Sequence, residues 1–300
     1  MPLPFPDYPA HAAFVAPARR RADFWRLGLG IALIAGVYIG GMNGLLVYLM
    51  ARYGEIIGSA IFFRMSLADS PGAMLMLLFS FLGLAIGPLA AVRLLHDRRA
   101  GTLFGPSPSR AVSDFVRVLV PVLGFNLLML PLALGSPDVA RALPWGEFLG
   151  YLPFALAGIL IQTGAEELVF RGYLQQQIAA RHRSPLAWMC VPSALFAAAH
   201  YAPATWGPNT WLVTAWAAAF GIFAADLTAR TGTLGAAIAF HLANNILAML
   251  VLSVRGEMDG LALWSQSVAL TDDTALPPLL LVDSLGMIVA WLIARLSLRV

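Results

Sequence analysis

The sequence predicts an all-α, polytopic membrane bundle of about eight transmembrane helices. Three observations predict it. The 300-residue chain is 59% hydrophobic and only 12% charged, with a mean hydropathy of +0.77, whereas a soluble domain carries about 25% charged residues. The apolar residues fall into eight runs, most of them near the ~20 residues that cross a hydrocarbon core. Arginines gather in alternate connections between those runs, as the positive-inside rule requires of a polytopic chain.

The elements follow in order. Residues 1–26, beginning MPLPFPDYPAHAAFVAPARRR, are proline-rich, and their charges follow the apolar residues instead of preceding them. That is the wrong order for a signal peptide, so the segment reads as a mobile cytoplasmic tail. Residues 27–300 read as one transmembrane domain, with spans at 27–50, 72–95, 112–134, 148–173, 186–202, 210–229, 233–254 and 276–296. Turn or charge signals close the first seven: Arg52, Arg93 to Arg99, Gly135-Ser136-Pro137, Arg181 to Pro185, Pro203 to Pro208, Arg230 to Gly232, and Arg255-Gly256-Glu257. The fifth span is the shortest. Two mixed stretches, Glu55 to Leu67 and Gly260 to Ser267, read as interfacial helices.

Orientation comes from the charges. Arg19, Arg20, Arg21 and Arg26 precede the first span, Arg98, Arg99 and Arg110 lie between the second and third, and Arg181 and Arg183 between the fourth and fifth. Arg230 lies between the sixth and seventh, and Arg295 and Arg299 follow the last. The other connections carry Arg52, Arg64, Arg141 and Arg255, offset by Glu55, Asp69, Asp138, Glu257, Asp259, Asp272 and Asp273. Both termini are therefore expected in the cytoplasm, with the bacterial inner membrane as the setting. The net charge of +3 comes from arginine alone, and its scatter over connections leaves no nucleic-acid footprint. Cys190 is the single cysteine, so an intramolecular disulfide is excluded.

Within the spans, three groups of polar residues do not suit lipid. The fourth span ends in GAEELVFRGYL, with Glu166, Glu167 and Arg171; the fifth ends in LFAAAH at His200; the seventh contains FHLANN, with His241, Asn244 and Asn245. An intramembrane carboxylate costs about 2.5–3.5 kcal/mol on insertion scales and marks a functional site by default. Glu167 and Arg171 are four apart and can pair on one helix face. Glu166, about 100° away around the helix, is left without that partner. Glu166 precedes the turn near Arg183 by as many residues as His200 follows it, so an antiparallel hairpin sets both at one depth. That depth is nearer the cytoplasmic face. His241 and Asn245 share a face of the seventh helix.

A carboxylate, two imidazoles and a carboxamide are the inventory for hydrolysing an amide. A carboxylate takes a proton from water while a histidine holds or polarises that water. A second histidine and an asparagine donate to an oxyanion. The alternative is a metal site, zinc held by Glu166, His200 and His241, since imidazole and carboxylate suit that ion. The H-E-x-x-H pattern of soluble zinc proteases is absent. Asn43, Asn126 and Asp226 read as polar glue between helices, and Gln175, Gln176 and Gln177 as the point where the fourth helix emerges.

These residues carry a resemblance. E-E-x-x-x-R at Glu166, Glu167 and Arg171, F-x-x-x-H at Phe196 and His200, and H-x-x-x-N at His241 and Asn245 resemble the signature of the CPBP family. Its members are intramembrane endopeptidases related to the type II CAAX prenyl proteases and were formerly grouped as Abi proteins. The resemblance covers about 148–254, and residues 1–147 and 255–300 carry no assigned motif. It implies that Glu166 is the catalytic carboxylate and His200 its partner on the water. It further implies that His241 and Asn245 form the oxyanion site, with Glu167 and Arg171 as support. The expected activity is hydrolysis of a peptide bond in a membrane-associated peptide or protein, without a cofactor, zinc being the alternative. The expected partners are the lipid bilayer and that substrate. Two other classes compete: a catalytically silent scaffold or immunity-type binding protein, and a small proton-coupled transporter. The intact motif set argues against the first, and the lack of an internal repeat against the second.

Overall fold

The computed structural model describes residues 8–256 and 258–300. It is an all-α membrane bundle: α1 (Pro9–Val15), α2 (Phe24–Tyr53), α3 (Glu55–Leu67), α4 (Pro71–Leu94) and α5 (Pro108–Leu134) come first. Then follow α6 (Trp145–Ala179), α7 (Pro185–Ala199), α8 (Thr210–Thr231), α9 (Gly235–Val251) and α10 (Leu276–Leu298). The helices begin where the sequence offers prolines at the first turn, in α4, α5, α7 and α10, because proline's missing N–H is unpaired there anyway. All eight expected runs are helical. Among the described residues six segments are long and apolar enough to cross a membrane: α2, α4, α5, α6, Pro203–Thr231 and α10. The other two, α7 and α9, are shorter apolar helices.

Three helices surround the future site. The core between them holds Phe196 of α7, Phe220 and Ala224 of α8, and Phe240 and Ala243 of α9, with Val118 and Val122 of α5 beneath. Small residues permit this closeness, as is usual where lipid offers no hydrophobic drive between helices. At Gly221 an added Cβ would stand 2.8 Å from Ser193 Cβ of α7, and at Gly235 it would collide with the Ala111 carbonyl of α5. Asn126 donates to Ala243 O at 3.1 Å, joining α5 to α9. Asp226 accepts from Arg230, Tyr8 and Trp291. Both are therefore glue, as expected. Asn43 is not: it bonds only its own helix, to Ile39 O, on an exposed face.

Three details depart from the sequence reading. The segment expected as a mobile tail is helical from Pro9 and packed, with Phe14, Val15, Ala18 and His11 buried. Residues 1–7 of that segment lie outside the described residues. Gly232, at φ +70°, closes α8 so near α1 that a Cβ would stand 2.5 Å from Ala10 O. Gly260 to Ser267 is not a helix. It contributes β3 (Trp264–Gln266), which pairs antiparallel with β1 (Val139–Arg141) and parallel with β2 (Leu252–Val254). Sequestered backbone needs partners, and two neighbouring strands supply them. Glu55 to Leu67 does form a helix, folded back so closely on α2 that a Cβ at Gly58 would meet Leu49. Finally, Gln175, Gln176 and Gln177 do not emerge into solvent: all three are buried. Gln175 bonds His11 and Ala225 O, and Gln176 bonds Arg98 and Thr102 O, while the Gln177 amide has no hydrogen-bond partner among the described residues.

Candidate active site

The site is built where α6 changes its winding. Residues Trp145–Glu167 are α-helical, and Leu168–Gln175 continue as a π-helical turn, a widening frequent at functional sites. Both glutamates sit at that junction. An α-helix rotates four-residue steps steadily off one line, but here the steps stay in line with α8. Arg171 donates to Gly221 O at 3.2 Å, and Gln175, four residues on, to Ala225 O at 3.3 Å, also four residues on.

The two neighbouring glutamates have different surroundings. Glu167 is fully buried; its Oε1 accepts from Arg171 Nη1 at 3.2 Å and from His241 Nδ1 at 2.8 Å. A carboxylate beside a guanidinium accepts, so the imidazole carries its proton on Nδ1 and turns Nε2 away. That Nε2 lies 3.6 Å from Oε2 of Glu166. Glu166 Oε2 is buried and has no hydrogen-bond partner among the described residues. One carboxylate is thus neutralised and orients a histidine, and the other faces that histidine unbonded.

A second rung lies one turn away. Asn245 Nδ2 donates to Gln162 Oε1 at 2.8 Å, and Asn244 Nδ2 donates to Asn245 Oδ1 at 3.2 Å. Glu166 with His241 and Gln162 with Asn245 form antiparallel steps between α6 and α9. Two partners fix the Asn245 amide with its second N–H unused. Gln162 escaped the sequence reading. The available signal was its position four residues before Glu166 in an otherwise apolar turn, and the face it shares with Glu166.

His200 stands at the C-terminal end of α7, with Nδ1 donating to Phe196 O at 2.8 Å. Its Nε2 is left as an acceptor. Phe196 separates the two imidazoles: its ring centroid is 4.5 Å from His200 and 6.0 Å from His241. Phe220 closes the other side of His241 at 4.7 Å. Glu166, Glu167, Arg171 and His241 are therefore joined directly, Asn245 is joined to Gln162 one turn away, and His200 adjoins them through Phe196 and makes no ion pair with either glutamate. Glu166, His200 and His241 do not converge as zinc ligands. Among the described residues no three His, Cys, Asp or Glu side chains group so as to hold an ion. His241 turns both ring nitrogens to carboxylates.

Residues 146–247 match the family model described as type II CAAX prenyl endopeptidase Rce1-like. That stretch is similar to an Rce1-like domain. The match begins at the first turn of α6 and runs into α9, so the Rce1-like domain contains every residue joined above. Its family is one of CAAX-type proteases, and the apolar helices that carry it make the chain an integral membrane protein. The chain is also similar to the uncharacterized protein YyaK of Bacillus subtilis (strain 168), 25% identical over 258 residues that span 83% of this chain and 84% of that protein. That similarity extends well beyond the Rce1-like domain. No solved structure matches the chain significantly.

Proposed function

We propose that the protein is an intramembrane endopeptidase that hydrolyses a peptide bond of a membrane-associated peptide or protein with water activated by Glu166. The observation that carries the reading is the inequality of the two adjacent glutamates. Glu167 is spent on Arg171 and His241. Each keeps a buried Oε2 without a hydrogen-bond partner, but Glu166 makes no hydrogen bond with either oxygen among the described residues and lies beside that same histidine.

Glu166 takes the proton as water adds to the scissile carbonyl carbon. His200 is its partner on the water: with Nδ1 donating to Phe196 O, its Nε2 accepts an O–H. The new oxyanion accepts from the unused N–H of Asn245 and from Nε2–H of His241, which requires the doubly protonated ring. Donors held before the reaction cost no reorganisation during it. The tetrahedral intermediate then collapses, the C–N bond breaks, and Glu166 returns its proton to the leaving amine. Glu167, Arg171 and Gln162 are positioning residues: they touch His241 or Asn245, or support one that does. The arginine-rich connections face the cytoplasm, as the charge asymmetry favours. The substrate is a membrane-associated peptide or protein.

The test is hydrolysis of a peptide library by the purified protein in lipid nanodiscs, read by mass spectrometry, beside Glu166→Gln. Loss of a general base costs about 10²–10⁴ in rate. A well-folded Glu166→Gln protein that turns over near normally overturns the assignment, and no cleavage by the unaltered protein favours a silent scaffold. A chelator should leave the rate unchanged. Chelator-sensitive activity restored by zinc would replace the metal-free mechanism.

A further inference from the structure

At the end of the bundle where α5 begins and α8 and α10 finish, a cavity of about 420 Å³ is lined by Ser109, Arg110, Ser113, Asp114, Arg117 and Thr231. It belongs to neither the glutamate pair nor its helices α6, α7 and α9. Arg110 and Arg117 are both exposed and lie two turns apart on one face of α5. Helical side chains lean toward the N-terminus, so Arg117 reaches back toward Ser113 and Arg110.

Asp114 is buried, accepts from Thr233 Oγ1 at 2.8 Å, and lies 3.8 Å from Arg110 Nε. Arg117 has no carboxylate partner among the described residues; Leu298 and Val300 complete the lining, and Val300 O accepts from Arg295 Nε at 3.2 Å. Arg117 stands nine residues past the start of α5, about 14 Å along the axis of this membrane-crossing helix. A guanidinium in such a place needs water or an anion.

The flank of the cavity is apolar. Val112, Val116 and Val120 are four apart, and each is at least half exposed on α5. An arginine-lined cavity open beside an apolar ridge has the two halves of a phospholipid's chemistry. We propose that this cavity binds the phosphate of an anionic phospholipid, held by Arg110 and Arg117 with Ser113, while an acyl chain lies along Val116 and Val120. Guanidinium matches phosphate with two parallel hydrogen bonds, and basic pockets between transmembrane helices suit such headgroups. A free phosphate ion shares the same chemistry, without the ridge.

The experiment uses the full chain and two probes. Thermal unfolding is followed in nanodiscs of phosphatidylcholine with increasing phosphatidylglycerol, and separately in detergent with increasing inorganic phosphate. Phosphatidylglycerol should raise the unfolding temperature saturably and inorganic phosphate should not. Arg110→Gln/Arg117→Gln should need at least roughly tenfold more phosphatidylglycerol for the same rise. Arg99→Gln, an exposed arginine outside the cavity, should behave as the unaltered chain. Should the double variant fail to fold, Arg117→Gln alone provides the comparison, since its side chain is exposed. Equal response of the unaltered chain and the cavity variant overturns the site. An equal loss in Arg99→Gln overturns it in favour of general charge, and a rise with inorganic phosphate alone overturns the lipid.

Discussion

Glu167 and Arg171 show how much a single spacing discloses. Four residues on one helix were enough to anticipate their pairing, and they lie 3.2 Å apart. The bond from His241 to Glu167 was not legible. It depends on the rotation of α9 against α6, which no local pattern encodes. His241 was expected beside Glu166 and in fact bridges both carboxylates. Gln162 was hidden for a related reason: one glutamine in an apolar turn has no meaning until its partner Asn245 is in place. The bridge makes Glu167→Ala more damaging than loss of one ion pair. It leaves Arg171 charged, fully buried and bonded only to Gly221 O, and it frees the His241 ring. Breaking a buried pair costs about 3–5 kcal/mol. Thermal unfolding of Glu167→Ala should show that loss, and Arg171→Met added to it should recover part. A double variant no more stable than the single would refute the pairing as the source. Activity should stay low in both, because His241 Nδ1 has lost its acceptor.

Among the elements, hydropathy located all eight apolar helices to within a few residues at most ends. What it missed were segments ordered by their surroundings: β3, paired on both sides, and α1, a short helix with its own apolar face against α6, α7 and α8. Short helices are marginal alone, so α1 owes its order to packing. His11 sits in that packing, its ring 4.1 Å from Trp188 and its Nε2 3.3 Å from Gln175 Nε2. Burial, and secondarily Arg19, hold its pKa down at about 4. Undocked, the ring returns to near 6.5. Above pH 6.5 both forms are neutral and docking is at full strength. Between 6.5 and about 4 only the undocked form takes up a proton, so docking weakens as pH falls, by about 3 kcal/mol in total. Proteolysis near residues 16–22 should therefore accelerate from pH 7 to pH 4.5, and His11→Phe should flatten that dependence. An equally steep profile in the variant would assign the effect elsewhere.

In the whole molecule, the fold class was written in composition and periodicity, and the domain match at residues 146–247 falls on the part that motifs had marked. The crossing count was harder to read, because hydropathy sees apolar runs and not their lengths in space. α7 has 15 residues, about 22 Å of helix, against a hydrocarbon core of about 30 Å. It ends at His200, and its neighbour α9, which carries His241 and Asn245, is also short. By contrast α6 has 35 residues, about 52 Å. The lipid around this molecule therefore has no uniform depth to match. α9 is buried within the bundle, but α7 has an exposed outer face, and beside it the two leaflets must draw together, at a cost of a fraction of a kcal/mol for each ångström. A membrane dimpled at that one flank would bring headgroup water toward Glu166 and leave a substrate strand entering there less hydrocarbon to cross. In nanodiscs of fixed headgroup, shortening the acyl chains by four carbons should raise both thermal stability and turnover, and a fall in both would mean that α7 is instead screened from lipid.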